Sequence, residues 1–370
     1  MIGELARLFL WLGVVSFGGP AAHIALMRHE VVEKRRWLSD RDFLDLVGAT
    51  NLIPGPNSTE LAIHIGLLRG GLAGLLVAGL SFIVPAVVIV GAIAMAYTKF
   101  GSLPEIQAVF AGVKPVVIAI VAHALYKLAR AAVRVPWHGA IAITACVAAA
   151  MAMNELALLA ACGALGGVIA GGLRNAVTKL QGLMWVPAIS APAAVASAVS
   201  LTGLFTVFLK AGGLLFGSGY VLLAFLRADL VERLHWLSEQ QLLDAIAIGQ
   251  VTPGPVFTTA TFIGYQLAGV NGALVATLGI FLPAFVYVAI SGPLLPKLKQ
   301  SPIATGVLDG VNLASLALMA VVCWQLGRNA LVDLTSIALA LVSLSAIVAR
   351  LNPTWLIALG ILVGLIRHAH

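Results

Sequence analysis

Long apolar runs separated by short clusters of proline, glycine and polar residues make up the pattern of this chain. Four runs, roughly 71 to 97, 105 to 126, 137 to 153 and 156 to 173, predict helices in its first part. Four more, roughly 271 to 292, 302 to 326, 334 to 349 and 353 to 367, predict them in its second. Several approach the ~20 residues that an α-helix needs to cross a bilayer, and the later ones are short. Ahead of each set stands a short apolar helix that ends in a glycine break, at Phe17-Gly18-Gly19 or Phe216-Gly217-Ser218, followed by a charged stretch. Then comes an interrupted element, Asn51-Leu52-Ile53-Pro54-Gly55-Pro56-Asn57-Ser58-Thr59-Glu60 in the first part and Gln250-Val251-Thr252-Pro253-Gly254-Pro255-Val256-Phe257-Thr258-Thr259 in the second. Pro56 cannot donate to a preceding turn and is pre-set for a helix start, so a new helix should begin there and run through His64 to about Leu68. Its amino end, with unpaired N–H groups and the side chains of Asn57, Ser58 and Thr59, suits an anion. One half-helix start per half is the pattern of a transporter whose site lies between repeats.

The chain aligns with itself at an offset of about 199 residues, falling to about 198 after the Pro-Gly-Pro segment. Trp37-Leu38-Ser39 falls on Trp236-Leu237-Ser238, Asp45 on Asp244, and Pro54-Gly55-Pro56 on Pro253-Gly254-Pro255. Gly66, Pro85, Gly112 and Arg130 fall on Gly264, Pro283, Gly310 and Arg328. We therefore divide the chain into a first repeat (1–180), a linker (181–199) and a second repeat (200–370). The apolar stretch from Gly182 to Val199 has no partner in the repeat, and a single crossing there would turn the second half upside down.

At 61% hydrophobic and 10% charged residues, with mean hydropathy +1.03, the chain is solvated mostly by lipid. Its net charge of +7 lies in short runs between apolar spans, which speaks for topology and against nucleic acid as a partner. If the first half starts in the cytoplasm, Arg28, Lys34, Arg35, Arg36, Arg41, Arg69, Lys127, Arg130, Arg134, Arg174 and Lys179 fall inside, and inversion adds Lys297, Lys299 and Arg350. The opposite face receives Lys99, Arg227, Arg233, Arg328 and Arg367 among about as many acids. The expected fold is an all-α polytopic membrane protein of two inverted-topology repeats whose broken or re-entrant helices meet near the midplane. Met1 to Phe17 superficially resembles a signal peptide, but Glu4 and Arg7 are weak material for one and the segment leads into a repeated motif, so it reads as mature sequence. Cys146, Cys162 and Cys323 stand singly in apolar runs, so neither disulfides nor a metal site is expected.

Lys114 is a cation inside an apolar run, a candidate counter-charge for an anion; the competing reading is that it snorkels to an interface. Lys210 lies closer to a boundary and reads as snorkelling. Glu60 and His64, four apart on one helix face, are candidates for proton coupling, although Glu60 also fits as a carboxylate balancing the helix dipole. Their counterparts, Thr259 and Phe262 or Ile263, are uncharged, so one coupling site per molecule is expected. Asp45 and Asp244 read as structural, Ser39 and Ser238 as helix caps, Trp37 and Trp236 as interfacial anchors, and His23 as a packed histidine. The glycine breaks permit turns at membrane depth and offer N–H groups to a ligand, or serve close packing. Together the expected substrate-binding set is Gly18, Gly19, Asn51, Pro54, Gly55, Pro56, Asn57, Ser58, Thr59, Lys114, Gly217, Ser218, Thr252, Gly254 and Thr258. His29-Glu30-Val31-Val32-Glu33 fails the zinc-protease pattern at its last position, and no phosphate loop occurs, so neither an enzyme nor an ATP-driven pump is indicated. An intramembrane hydrolase lacks a nucleophile motif; a channel or passive scaffold is the other class to weigh.

Through Phe17-Gly18-Gly19-Pro20-Ala21-Ala22-His23, the Trp37-Leu38 segment and the run from Asn51 to Glu60, the chain resembles the chromate ion transporter family in its long, duplicated form. The resemblance covers nearly all of the chain. It implies an exporter of chromate in the bacterial inner membrane, linked to the proton-motive force and to chromate resistance, with sulfate as the alternative oxyanion and no cofactor. Its expected partners are the oxyanion, the lipid bilayer and, as an open option, a second copy in a homodimer. The second half departs from the motif, with Val256-Phe257 where Asn57-Ser58 stand.

Overall fold

The computed structural model describes residues 1–17, 19–151, 153–171, 198–216, 221–349 and 351–369. Among them there are fourteen α-helices and no strands. Seven belong to each half. The first half comprises α1 (Ile2–Val15), α2 (Gly19–Arg28) with a π-helical continuation His29–Lys34, α3 (Asp40–Thr50), α4 (Asn57–Phe100), α5 (Pro104–Ala132), α6 (Pro136–Ala150) and α7 (Glu155–Gly171). The second repeats the order as α8 (Leu201–Leu214), α9 (Leu222–Leu226) with the π-helical Arg227–Arg233, α10 (Glu239–Val251), α11 (Thr259–Gln300), α12 (Pro302–Ala330), α13 (Leu334–Val348) and α14 (Pro353–Ala369). Even the wide turns recur. The linker expected to invert the second half lies, apart from residues 198–199, outside the described residues.

Local chemistry explains the helix boundaries. Ser39 caps α3 by accepting from Asp42 N–H, Ser238 forms a capping box with Gln241 on α10, and Pro104 and Pro302 occupy the first positions of α5 and α12. Helix α4 begins directly after Pro56 and reverses at Gly70 and Gly71, the latter at φ +58°; α11 reverses at Ala268 and Gly269, at φ +61°. Only glycine adopts those angles cheaply. The two arms of each helix fold back on each other: a Cβ at Gly66 would strike the Gly74 carbonyl, and one at Gly264 the Gly272 carbonyl.

Whether the interrupted elements cross or return, which the sequence left open, is decided by what meets at their ends. The Arg69 guanidinium lies 4.8 Å from the Trp37 ring, so α3 enters from the same face to which the first arm of α4 returns. That arm, 57–69, is about 20 Å long, too short to cross a hydrocarbon core of about 30 Å. At the start of α1, Ile2 Cδ1 lies 2.8 Å from where a Gly70 Cβ would be, so α1 leaves from this face as well, and α2 brings the chain back to Trp37. Both elements are helical hairpins that return to the side from which they start. In the second half Tyr97 packs on Phe262 (ring centroids 5.1 Å apart) while bonding Asp244, which sets α10 and the first arm of α11 side by side in the same way.

The second half is inverted. The long arm of α4 starts at the face of Trp37 and Arg69 and ends at Tyr97 beside α10, so the second pair of hairpins enters from the opposite face. The long arms of α4 and α11 therefore run antiparallel, with Gly79 against the Phe285 ring and Leu75 clustered with Val288. Four segments, Asn57–Phe100, Pro104–Ala132, Val256–Ser291 and Pro302–Ala330, are long and apolar enough to cross a membrane.

The halves interlock. Helices α6 and α7 pack on α12 of the second half, and α13 and α14 pack on α5 of the first. At both crossings the backbones touch: a Cβ at Gly166 would hit the Gly306 carbonyl, and one at Gly112 the Gly360 carbonyl. Small residues at such contacts let helices approach closely where no water is displaced. One apolar cluster runs through both halves, from Val113, Val117 and Ile120 to Phe208, Phe257 and Met319.

Candidate functional site

The hairpin tips meet near the centre and bind each other across the halves. Gly55 N–H donates to the Leu215 carbonyl (2.8 Å) and Gly254 N–H to the Ser16 carbonyl (2.9 Å). Each glycine has a positive φ, +142° and +86°. A Cβ at Gly55 would run into the Glu60 carboxylate, and one at Gly254 would come within 2.6 Å of Ala86 Cβ. His23 joins the two hairpins of the first half, with Nε2 donating to the Ser16 carbonyl (3.1 Å) and Nδ1 meeting Ser58 Oγ at 3.2 Å. Its ring is fully packed, as expected.

Below this junction the first arm of α4 carries Glu60, whose side chain is 0% exposed with no hydrogen-bond partner for either carboxylate oxygen among the described residues. His64 does not meet that carboxylate: Nδ1 reaches the Glu60 backbone carbonyl (3.0 Å) and Nε2 reaches Ser291 Oγ (3.2 Å) in the other half. Asn57 donates to Asn51 Oδ1 at 2.7 Å. In the second half the hydroxyls of Thr252 and Thr258 donate to their own helix turns, at the carbonyls of Ile248 (2.9 Å) and Pro255 (2.8 Å). Gly19 opens α2 at φ +79°. Gly18, Gly217 and Ser218 lie outside the described residues.

A cavity of about 830 Å³ opens on the face opposite Trp37 and Arg69, between the end of α4, the first turns of α5 and α10, the α12–α13 turn and the end of α14. Lys114 stands in its floor. Its Nζ lies 2.9 Å from Asp244 Oδ1, with side-chain exposures of only 14% and 9%. Tyr97 donates its hydroxyl to Asp244 Oδ2 at 2.7 Å. At the mouth Asp333 caps α13, accepting from Ser336 N–H (2.7 Å), and pairs with Arg367 at 2.6 Å. Those two contacts, the backbone bond first, hold the Asp333 carboxyl below its usual range.

The set expected to surround one pocket is thus found in two places. Among the described residues, Lys114 is the one substrate-binding candidate that lines this vestibule, while Pro54, Gly55, Pro56, Asn57, Ser58, Thr59, Thr252, Gly254 and Thr258 gather at the hairpin tips, where most are buried. Two readings of charge change. Lys210 does not snorkel: Nζ lies 2.7 Å from Glu155 and 2.9 Å from Asp229, an inter-half cluster. Asp244, read as structural, is the partner of Lys114. The rule that singled out the lysine, a charge inside an apolar run, applies equally to Leu242-Leu243-Asp244-Ala245-Ile246.

Comparison with known proteins places this architecture. The family described as Chromate transporter matches twice, at residues 3–167 and 202–365. A probable chromate transport protein of Synechococcus elongatus is 34% identical over 92% of this chain and 88% of its own length. Chromate transport proteins of Cupriavidus metallidurans (32% identical, 99% and 93%) and Pseudomonas aeruginosa (31% identical, 83% and 77%) are similar. No solved structure matches. With both of its halves matched and relatives of this similarity along most of its length, the chain belongs to the chromate transporter family.

Proposed function

We propose that this protein exports chromate from the cytoplasm of a bacterium across its inner membrane, with Lys114 holding the dianion at the floor of the vestibule. The observation that carries this reading is the lysine's position: a mostly buried ammonium facing a cavity between two inverted halves. An ionised group kept at that depth against its desolvation cost marks a solute path. The names of the relatives supply the solute. Arg28, Lys34, Arg35, Arg36 and Arg69 collect on the face opposite the vestibule, and the positive-inside rule makes that face cytoplasmic. The vestibule then opens outward, and a negative-inside potential favours exit by about 2.3 kcal/mol per charge per 100 mV. The half-helix starts at the hairpin tips, closed off from the vestibule here, complete the anion site when the halves tilt. Glu60, with His64 beyond it, couples a proton; the support is its full burial beside the junction of the halves with neither side-chain oxygen hydrogen-bonded among the described residues.

Labelled chromate flux into inverted vesicles at clamped potential tests the reading. Lys114→Ala should lower flux about ten- to a hundredfold at unchanged expression, the loss of one charged contact. Flux at the parent level would remove the lysine from the path. Competition by unlabelled sulfate tests the other reading, and inhibition as strong as that by unlabelled chromate would move the assignment to oxyanions in general.

A further inference from the structure

We infer that Asp244 is a built-in competitor for the oxyanion: its carboxylate occupies the Lys114 ammonium in the empty vestibule, an arriving oxyanion displaces it, and its return expels the solute. The inference rests on the reading of Lys114 as the anion site. Asp244 comes from α10 of the second half and Lys114 from α5 of the first, so the 2.9 Å pair spans the cavity between the repeats. From α4, Tyr97 holds the other carboxylate oxygen at 2.7 Å and keeps the group aimed at the lysine. The acidic residues lining the cavity are Asp244 and Asp333, and Asp333 pairs with Arg367 at the mouth. Lys114 is therefore neutralised by one carboxylate and cannot hold a dianion beside it without like-charge repulsion in a partly buried site. Substrate and Asp244 are alternatives. Because the carboxylate rides on a hairpin of one half and the lysine on a spanning helix of the other, exchanging them unties and reties the halves at the vestibule floor.

Asp244 is a positioning residue by this account, and its signature is a split between affinity and turnover. In purified protein in nanodiscs, equilibrium dialysis with chromate should show Asp244→Asn binding about tenfold more tightly than the parent, since the competitor is gone while the lysine stays. In proteoliposomes the same variant should show a lower KM together with a lower kcat, because release has lost its displacing group. Asp244→Glu, which keeps the charge, should restore kcat toward the parent. Unchanged or weaker chromate binding by folded Asp244→Asn overturns the inference and leaves the Lys114 reading standing. Lys114→Gln separates the two: it should weaken binding about ten- to a hundredfold in both the parent and the Asp244→Asn background, and binding undiminished by it overturns the reading itself. Should Asp244→Asn not fold, Tyr97→Phe serves instead. Without the phenol's hydrogen bond the carboxylate is no longer held on the lysine and competes less well, so chromate should bind about threefold more tightly. Unchanged or weaker binding by that variant overturns the inference too.

Discussion

Single residues at the hairpin tips are held by geometry that tolerates little change. Gly55 combines a positive φ with a space already filled by the Glu60 carboxylate, so Gly55→Ala should cost about 1–3 kcal/mol, read as a lower melting temperature in detergent. Glu60→Gln should leave that temperature near the parent's, because the carboxylate gives up no hydrogen bond, and should flatten the pH dependence of flux. A pH profile identical to the parent's would remove Glu60 from the proton's route. How much of this was legible at the residue scale depended on locality. Lys114 could be singled out because a cation in an apolar run is anomalous by itself. Asp244 carries the same local signal, a charge in an apolar run, but that it meets Lys114, 130 positions earlier in the chain (244 − 114), is contained in no local pattern.

Helix starts and stops followed from proline, glycine and capping serines, which act over a turn or less. The expected helix after Pro56 begins at Asn57, and the spans expected at 105 to 126 and 302 to 326 are α5 and α12, extended by a turn or two. The return of the hairpins was not legible, because it depends on which distant side chains meet at the membrane face, as Trp37 and Arg69 do. Packing between elements has its own weak points. Gly112→Val should strain the α5–α14 crossing, where a Cβ already meets the Gly360 carbonyl and lies 2.8 Å from the Gly364 nitrogen. A melting temperature several degrees lower is expected, as overpacking costs about 1–3 kcal/mol. Its counterpart Gly310→Val should behave alike at the α7–α12 crossing, and a difference between them would show that the two crossings bear unequal loads.

At the scale of the whole molecule the inversion was legible, since the basic Lys34-Arg35-Arg36 loop stands against the balanced Arg233-Leu234-His235 loop of the other copy. The exchange of helices was not. Both copies have the same apolar pattern whether α6 and α7 cover their own half or the other one, and the choice is made in three dimensions. It follows that residues 1–180 expressed alone should be degraded or aggregate, with α5 stripped of α13 and α14, whereas two chains split between 181 and 199 and expressed together should restore flux. The reciprocal bonds at the centre point the same way. In each copy the partner's turning point is gripped through main-chain atoms, Gly55 to Leu215 and Gly254 to Ser16, and the acceptors are a leucine in one place and a serine in the other. A clasp made of peptide groups is indifferent to the side chains that drift around it. The two copies can therefore differ, with the acid and the histidine in one and uncharged residues in the other, while their turning points stay tied.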